Sequence, residues 1–255
     1  MGDLQDKLFP DHGYRPMVGI SYKYYMNPNV GLRFGAAYSS LSGADSLSDI
    51  KANRLRNLSF QTRLIEAHAG LELSFWQVDR VRHRVSPYVF GGVAVFYSNP
   101  YAYGMKGEKV YLKPLSTEGQ GLPIYPDRKA YSNVNVAFPV GAGMKFLVNK
   151  TLVISGEIGY RFTTTDYIDD VSKSYVNLND LTQYKGKQAA QMSYRGNTAP
   201  GWDGNYVDYT YKRGDSKSND AYWFGNITIA IYLRAFGNTH DYWQADCPRR
   251  GSSKK

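Results

Sequence analysis

Residues 134–147 read VNVAFPVGAGMKFL, and their alternation indicates the fold. Apolar side chains fall at every second position, and the positions between them include asparagine, glycine and lysine. Successive side chains of a β-strand point to opposite faces, so one face of this segment is apolar and the other is small or polar. Residues 151–165 repeat the pattern after a short turn at 148–150. The two segments are therefore predicted to form a β-hairpin.

The same alternation recurs along most of the chain. With its flanking turn residues, it predicts strands at 15–26, 30–42, 58–76, 85–98, 133–147, 151–165 and 221–236. The third segment changes phase near Thr62 to Leu64, which predicts a β-bulge there. No export signal precedes the first strand, so we expect a truncated strand to end near Met1. These features predict an all-β fold, an antiparallel transmembrane β-barrel of about eight strands and of OmpA- or OmpX-like size.

The connections between the predicted strands alternate in length. Short connections lie at 27–29, 77–84 and 148–150, and long ones at 43–57, 99–132 and 166–220. Membrane barrels have short periplasmic turns and long external loops. The alternation therefore predicts an outer-membrane barrel at 1–236 and a periplasmic C-terminal tail at 237–255.

The composition fits this class of protein. Aromatic residues make up 15% of the 255 positions, with 23 tyrosines, and such residues favour strands and interfacial belts. The mean hydropathy of −0.48 is expected for a barrel, because only half of each strand faces lipid. No apolar run approaches the roughly 18 residues of a membrane helix. The net charge of +9 is scattered, which favours anionic lipid or an acidic partner over nucleic acid.

Charged side chains are predicted on the inner face of the strands. They are Lys23, Arg33, Glu66, Glu72, Lys145, Glu157, Arg161 and Arg234. One interpretation is an ion or proton path, and the other is a packed plug of mutually stabilised charges. A barrel of about eight strands has an interior only wide enough for side chains, which favours the plug.

The remaining candidates for chemistry are sparse. Asp169 and Asp170, near Asp166, could hold a metal or order their loop through backbone and arginine contacts. No histidine accompanies them at ligand spacing, so we favour loop ordering. The four histidines are dispersed and form no nucleophile–base grouping. The sequence therefore predicts no enzyme, cofactor, metal or small-molecule substrate.

Basic and aromatic residues cluster on the predicted periplasmic side. They are Arg80, Arg82, Arg84, Tyr242, Trp243, Cys247, Arg249 and Arg250. They fit either lipid head-group contact and solubility or a docking surface for a periplasmic protein. Cys247 is the single cysteine, so it cannot form a disulfide within the chain.

Several stretches resemble the PorG family, the outer-membrane barrel subunits of the type IX secretion system. They are LKPLSTEGQG at 112–121, FPVGAGMK at 138–145, EIGYR at 157–161, TDYIDDVS at 165–172 and MGDL at 1–4. The resemblance implies an integral outer-membrane protein that anchors the periplasmic ring of the PorK lipoprotein and PorN during protein export. It implies no enzyme. Cys247 would lie on the correct side for a disulfide to this ring.

Two alternatives remain open at this stage. A small integral barrel for adhesion or envelope integrity would act through its external loops, with the Tyr-, Gly- and Asn-rich loop 166–220 as the binding element. A soluble lipocalin-like carrier also uses about eight strands. It needs an apolar interior, which the inward charges contradict.

Overall fold

The computed structural model describes residues 3–4, 15–78, 83–149, 151–202, 204 and 211–231. The strands are β1 Val18–Tyr25, β2 Val30–Ala44, β3 Ser59–Ser74, β4 Val85–Ser98, β5 Tyr101–Tyr103, β6 Lys109–Tyr111, β7 Val134–Leu147, β8 Leu152–Thr163 and β9 Ala221–Ile231. They form one antiparallel sheet whose path is β1-β2-β3-β4-β7-β8-β9, while β5 pairs with β3 and β6. The helices are α1 Lys51–Arg56, α2 Leu178–Lys185 and α3 Lys187–Ser193. None of the helices in this described part is long and apolar enough to cross a membrane.

The antiparallel all-β prediction is confirmed. Each of the seven predicted strands is present, and its described ends lie close to the predicted ones. The end predicted at 232–236, like the tail 237–255, lies outside the described residues. The predicted bulge near Thr62 is wrong, because β3 pairs with β2 without interruption from Ser59 to Leu73. Leu64 and Phe60 simply face inward, where they join an apolar cluster beneath the loops.

The sheet has one apolar and one charged face. On the outer face, Ile158 is 63% exposed and Ile227 is 80% exposed. On the opposite face of β8, Glu157 and Arg161 are almost completely buried. The strand period of two therefore separates exposed apolar side chains from buried charged ones.

The sheet curls into a half-barrel with the charged face inside. Arg33 on β2 and Glu157 on β8 are separated by three strands in the sheet, yet Arg33 Nη2 lies 2.9 Å from Glu157 Oε1. A flat sheet would hold strands four places apart at nearly 20 Å, since neighbours are about 4.8 Å apart. The curl is what brings these side chains together.

The long connections fold together at one end of the sheet. The loop after β2 contains α1, the loop after β4 contains β5 and β6, and the loop after β8 contains α2 and α3. Buried apolar side chains from the strands and from all three loops form one cluster, which includes Leu58, Phe96, Leu112, Ile168 and Met192. The short connections lie at the opposite end, so the predicted alternation of turns and loops is confirmed.

Candidate functional site

The inner face of the half-barrel holds a group of paired charges, here called the interior network. It consists of Lys23, Arg33, Glu66, Glu72, Lys145, Glu157 and Arg161, all of which are among the residues predicted from sequence. The eighth predicted member, Arg234, lies outside the described residues. The network follows from the strand alternation, because each member stands at an inward position of its strand.

Glu157 is the acceptor at one centre of the network. Arg33 binds it through two nitrogens, with Nη2 2.9 Å from Oε1 and Nη1 3.3 Å from Oε2. The Tyr88 hydroxyl donates to Oε2 at 2.8 Å, and Asn226 Nδ2 donates to Oε1 at 3.2 Å. A two-nitrogen contact with a carboxylate is the strongest pairing that arginine makes, so it fixes the guanidinium in orientation.

Glu66 is the acceptor at a second centre, nearer the loops. Arg161 binds it through Nε at 2.9 Å and Nη2 at 2.6 Å. The Tyr222 hydroxyl donates to Oε2 at 2.7 Å, and His68 Nδ1 lies 3.1 Å from Oε1. The carboxylate of Glu66 is thus fully used by side chains from its own strand and from β8 and β9.

Glu72 lies near the short-turn end and is bound by two lysines. Lys145 Nζ lies 2.5 Å from Oε1, and Lys23 Nζ lies 2.7 Å from Oε2. The Tyr25 hydroxyl donates to Oε1 at 2.9 Å. Arg33 Nη1 lies 3.9 Å from Glu72 Oε2, which connects this centre to that of Glu157. Ion pairs therefore connect Lys23, Lys145, Glu72, Arg33 and Glu157, while Glu66 and Arg161 form a separate pair.

Aromatic rings fill the space between these centres. A Cβ on Gly141 would lie 2.4 Å from Phe90 Cζ, and one on Gly143 would lie 2.5 Å from Tyr88 Cζ. The guanidinium of Arg33 stacks 4.0 Å from the centre of the Phe90 ring. Large side chains on one strand thus require glycine on the next, an alternation typical of small barrels. Rings and paired charges are thus packed against one another along the described inner face, as the plug interpretation requires.

A second buried cluster lies within the loops and was not predicted as a group. The side chain of Arg213 is almost completely buried, and its Nη1 lies 3.1 Å from Glu118 Oε1. Its Nε donates to the Ser193 carbonyl at 3.2 Å, and its Nη2 lies 3.7 Å from Asp170 Oδ2. Neither Arg213 nor Glu118 belongs to a segment with strand alternation, so the two-residue period does not mark them.

Asp170 is held at the centre of this loop cluster. The hydroxyls of Thr117 and Tyr131 both donate to its carboxylate, the latter at 2.6 Å. Its φ of 67° lies in the left-handed region, which aspartate tolerates better than most residues. Burial raises the pKa of Asp170 to about 6, and the neighbouring Arg213 opposes this shift. These are the contacts that the loop-ordering hypothesis requires.

Further carboxyl groups lie beside the cluster. Asp169 accepts from the backbone N–H of Leu4 at 3.1 Å and of Val171 at 3.0 Å. Burial and the nearby Asp3 raise the pKa of Asp169. Burial is also the main reason why the pKa of Asp166 is raised to about 7. In the part of the chain that the structure describes, no three His, Cys, Asp or Glu residues are grouped to hold a metal ion.

The sequence matches the family described as a domain of unknown function, DUF6089, over residues 10–189. The chain belongs to the DUF6089 family. None of the curated proteins matches it. The DUF6089 match spans β1 to β8 and the whole interior network, whereas Arg213 and β9 follow it.

The predicted periplasmic residues of this DUF6089 protein are mostly outside the described part. Arg84 is described and is exposed at the short-turn end, where its carbonyl accepts from the Leu147 N–H at 2.8 Å. The other predicted members lie outside the described residues: Arg80, Arg82, Tyr242, Trp243, Cys247, Arg249 and Arg250.

Proposed function

We propose that this protein is a non-enzymatic, structural outer-membrane β-barrel of the type IX protein secretion machinery. In this role it anchors the periplasmic PorK/PorN ring to the membrane. The observation that carries the membrane part is the partition of the sheet, with exposed apolar side chains outside and paired charges inside. The secretion part is supported by the resemblance of the loop and strand segments to the PorG family.

The outer face supports lipid as its surroundings. Ile20, Ile227 and Ile229 are each at least 70% exposed, and they lie on edge strands with other exposed apolar residues beside them. Water-soluble monomers rarely expose contiguous apolar patches larger than a few hundred Å². A lipocalin-like carrier would place charges outside and an apolar lumen inside, the reverse of this arrangement.

We further propose that the half-barrel closes with an eighth strand. The edges β1 and β9 are the first and seventh strands of an antiparallel path, so they run in the same direction. One added strand, antiparallel to both, would pair with each edge and leave no free backbone groups in lipid.

Membrane insertion is tested by fractionation of cell envelopes. We expect the protein to stay in the membrane pellet through alkaline carbonate washing and to migrate differently in gels before and after boiling. Release into the carbonate supernatant would contradict insertion. We also expect no stable currents in planar bilayers, because the interior is filled by paired charges and aromatic rings.

The proposed ring contact is tested by affinity capture from detergent-solubilised envelopes. We expect the full chain to retain PorK and PorN, and a chain lacking 237–255 to lose them. Arg84→Glu should weaken capture, whereas Lys51→Glu, an equal charge reversal at the exposed loop end, should not. Equal capture by all four chains would refute a contact on the short-turn side.

A disulfide between Cys247 and a ring protein is tested on non-reducing gels of intact cells. We expect a heavier band that disappears on reduction and is absent from the Cys247→Ser variant. A monomer band that is the same for both chains, with and without reductant, would remove this part of the proposal.

An adhesion or envelope-integrity role is the second candidate. It is favoured by the folded loops, whose surface exposes Met105, Tyr184 and Tyr211. Replacing these three residues by serine should abolish adhesion if the loops bind a surface, while secretion should continue. Loss of secretion with normal folding would instead place cargo or translocon contacts on the loops.

A further inference from the structure

The exposed apolar face of the sheet ends at a row of residues near the loops. Tyr38, Ile65 and Tyr97 are paired across β2, β3 and β4, and all three side chains are exposed. On β3, every outward position from Leu73 to Ile65 is apolar, and the next outward residue toward the loops is Arg63, which is also exposed. The outer face therefore changes from apolar to charged directly above this row.

The hairpin of β5 and β6 continues the same outer face toward the loops. β5 pairs with β3 at Gln61, the outward position that follows Arg63, and the Tyr101 hydroxyl donates to Gln61 Oε1 at 3.0 Å. The opposite face of the hairpin is buried, because Ala102 and Val110 belong to the apolar cluster beneath the loops. The outward residues of the hairpin, which together with Arg63 are here called the hairpin patch, are Tyr101, Tyr103, Lys109 and Tyr111.

Lys109 is held in this patch by aromatic rings. Its Nζ lies 3.7 Å from the centre of the Tyr101 ring and 4.8 Å from the centre of the Tyr111 ring. The Tyr101 ring in turn packs edge-on against those of Tyr103 and Tyr111. A ring face attracts a cation but carries no net negative charge. The ammonium group is thus positioned without being neutralised.

The two cations of the hairpin patch have no acidic partner. Among the described residues, neither Arg63 nor Lys109 forms an ion pair with a carboxylate. The acidic neighbour in sequence, Glu108, instead accepts from the backbone N–H of Lys106 at 3.0 Å. The patch therefore presents two exposed positive charges that an external anion can reach.

The position of the hairpin patch identifies the class of that anion. Tyrosines and basic side chains are enriched where a membrane protein crosses the boundary between hydrocarbon and water. An inorganic anion or an acidic protein would meet the two cations but not the exposed apolar row beneath them. A phosphorylated lipid meets both, because its phosphate group lies directly above its acyl chains.

We propose that the hairpin patch binds the phosphate groups of anionic lipids in the leaflet on the loop side of the membrane. Arg63 and Lys109 attract the phosphate groups, the tyrosine rings lie at the level of the head groups, and the row beneath contacts the acyl chains. This inference rests on the proposed membrane insertion, but not on the secretion role. Each cation near an anionic lipid surface strengthens binding by about fivefold.

The first test uses the purified full chain in nanodiscs of phosphatidylcholine, with or without phosphatidylglycerol. The rate at which a soluble reagent acetylates each lysine is followed by mass spectrometry. We expect phosphatidylglycerol to slow the acetylation of Lys109 several-fold and to leave that of Lys212, an exposed lysine of another loop, unchanged. Inorganic phosphate added to nanodiscs of phosphatidylcholine should protect neither lysine.

Matched variants locate the binding. Native mass spectrometry of the chain in micelles that contain phosphatidylglycerol measures how tightly the lipid is retained. Replacing both Arg63 and Lys109 by glutamine should weaken retention by about thirtyfold, whereas Lys109→Arg should retain lipid like the parent. Replacing both Lys51 and Lys212 by glutamine removes the same charge from exposed loop residues outside the patch and should change nothing. The acetylation test needs no substitution, so it decides the matter if a variant fails to fold.

Three results would overturn the proposal. One is unchanged acetylation of Lys109 in phosphatidylglycerol, or equal lipid retention by the two double variants. Another is protection of Lys109 by inorganic phosphate, which would identify a site for free anions. The third is protection by soluble polyglutamate but not by phosphatidylglycerol, which would indicate an acidic protein. A chain that does not enter phosphatidylcholine nanodiscs would instead contradict membrane insertion itself, so failure of the proposed function is distinguishable from failure of this inference.

Discussion

The substitution Ile158→Lys tests whether lipid surrounds the outer face. Ile158 stands in the middle of β8, opposite Ala142 on β7 and Gly225 on β9, and its side chain is 63% exposed. A lysine at the bilayer midplane of a barrel costs about 2–4 kcal/mol. The lost isoleucine adds roughly 63% of the ~1.5–3 kcal/mol that full burial of such a side chain contributes, or about 1–2 kcal/mol.

Ile158→Lys should therefore lower the free energy of unfolding by about 3–6 kcal/mol. This loss lowers the folded-to-unfolded ratio by at least about a hundredfold. In water, the same change at an exposed position would stay within about 0.5 kcal/mol. The assay is reversible urea unfolding in phospholipid vesicles, followed by gel mobility and tryptophan fluorescence. Ile50→Lys is the matched control, because Ile50 is 53% exposed but lies in the loop between β2 and β3.

Lipid and water around the sheet predict different stabilities for this pair of variants. With lipid outside, Ile158→Lys is destabilised by several kcal/mol and Ile50→Lys is nearly unchanged. If both variants unfold within about 0.5 kcal/mol of the parent, water surrounds the sheet and the barrel proposal is wrong.

Three further predictions concern the buried charges. Glu66→Leu leaves Arg161 unpaired and should lower the free energy of unfolding by about 3–5 kcal/mol, as measured in urea. A loss below about 1 kcal/mol would show that the pair is not buried. Arg213→Met should speed hydrogen exchange in the loops by at least about a hundredfold while the strands stay protected, whereas the exposed Lys212→Met should change neither. Burial raises the pKa of Asp166 to about 7 from its ordinary 3.8, so the folded loops retain a proton that the unfolded chain releases. The stabilisation from this proton is therefore complete below pH ~4 and is lost as the pH rises to about 7, where the folded-to-unfolded ratio of the loops falls by up to about tenfold per pH unit. Limited proteolysis of the loops should be faster at pH 7 than at pH 5. This difference in rate should be smaller for Asp166→Asn.

Much of the sheet could be predicted from the residue pattern, because the two-residue period of a strand is a local property. The alternation at 134–147 specifies both faces of β7 without reference to any other strand. The same argument places Arg33, Glu157 and Arg161 on the inner face. The error at Thr62 has a tertiary cause, since Phe60 and Leu64 are apolar yet face inward beneath the loops. Apolar character alone does not tell which neighbour a side chain will meet.

The pairing within each site depended on the tertiary structure. Arg33 and Glu157 are 124 positions apart and meet only because the sheet curls. Arg213 and Glu118 meet because three aperiodic loops pack over the same end of the sheet, and aperiodic segments carry no signal of their contacts. The sequence determined the strands and the side to which each charge points, since these follow from backbone geometry. Only the tertiary structure decided which charges become partners, because distance in space, not position in the chain, sets their interaction.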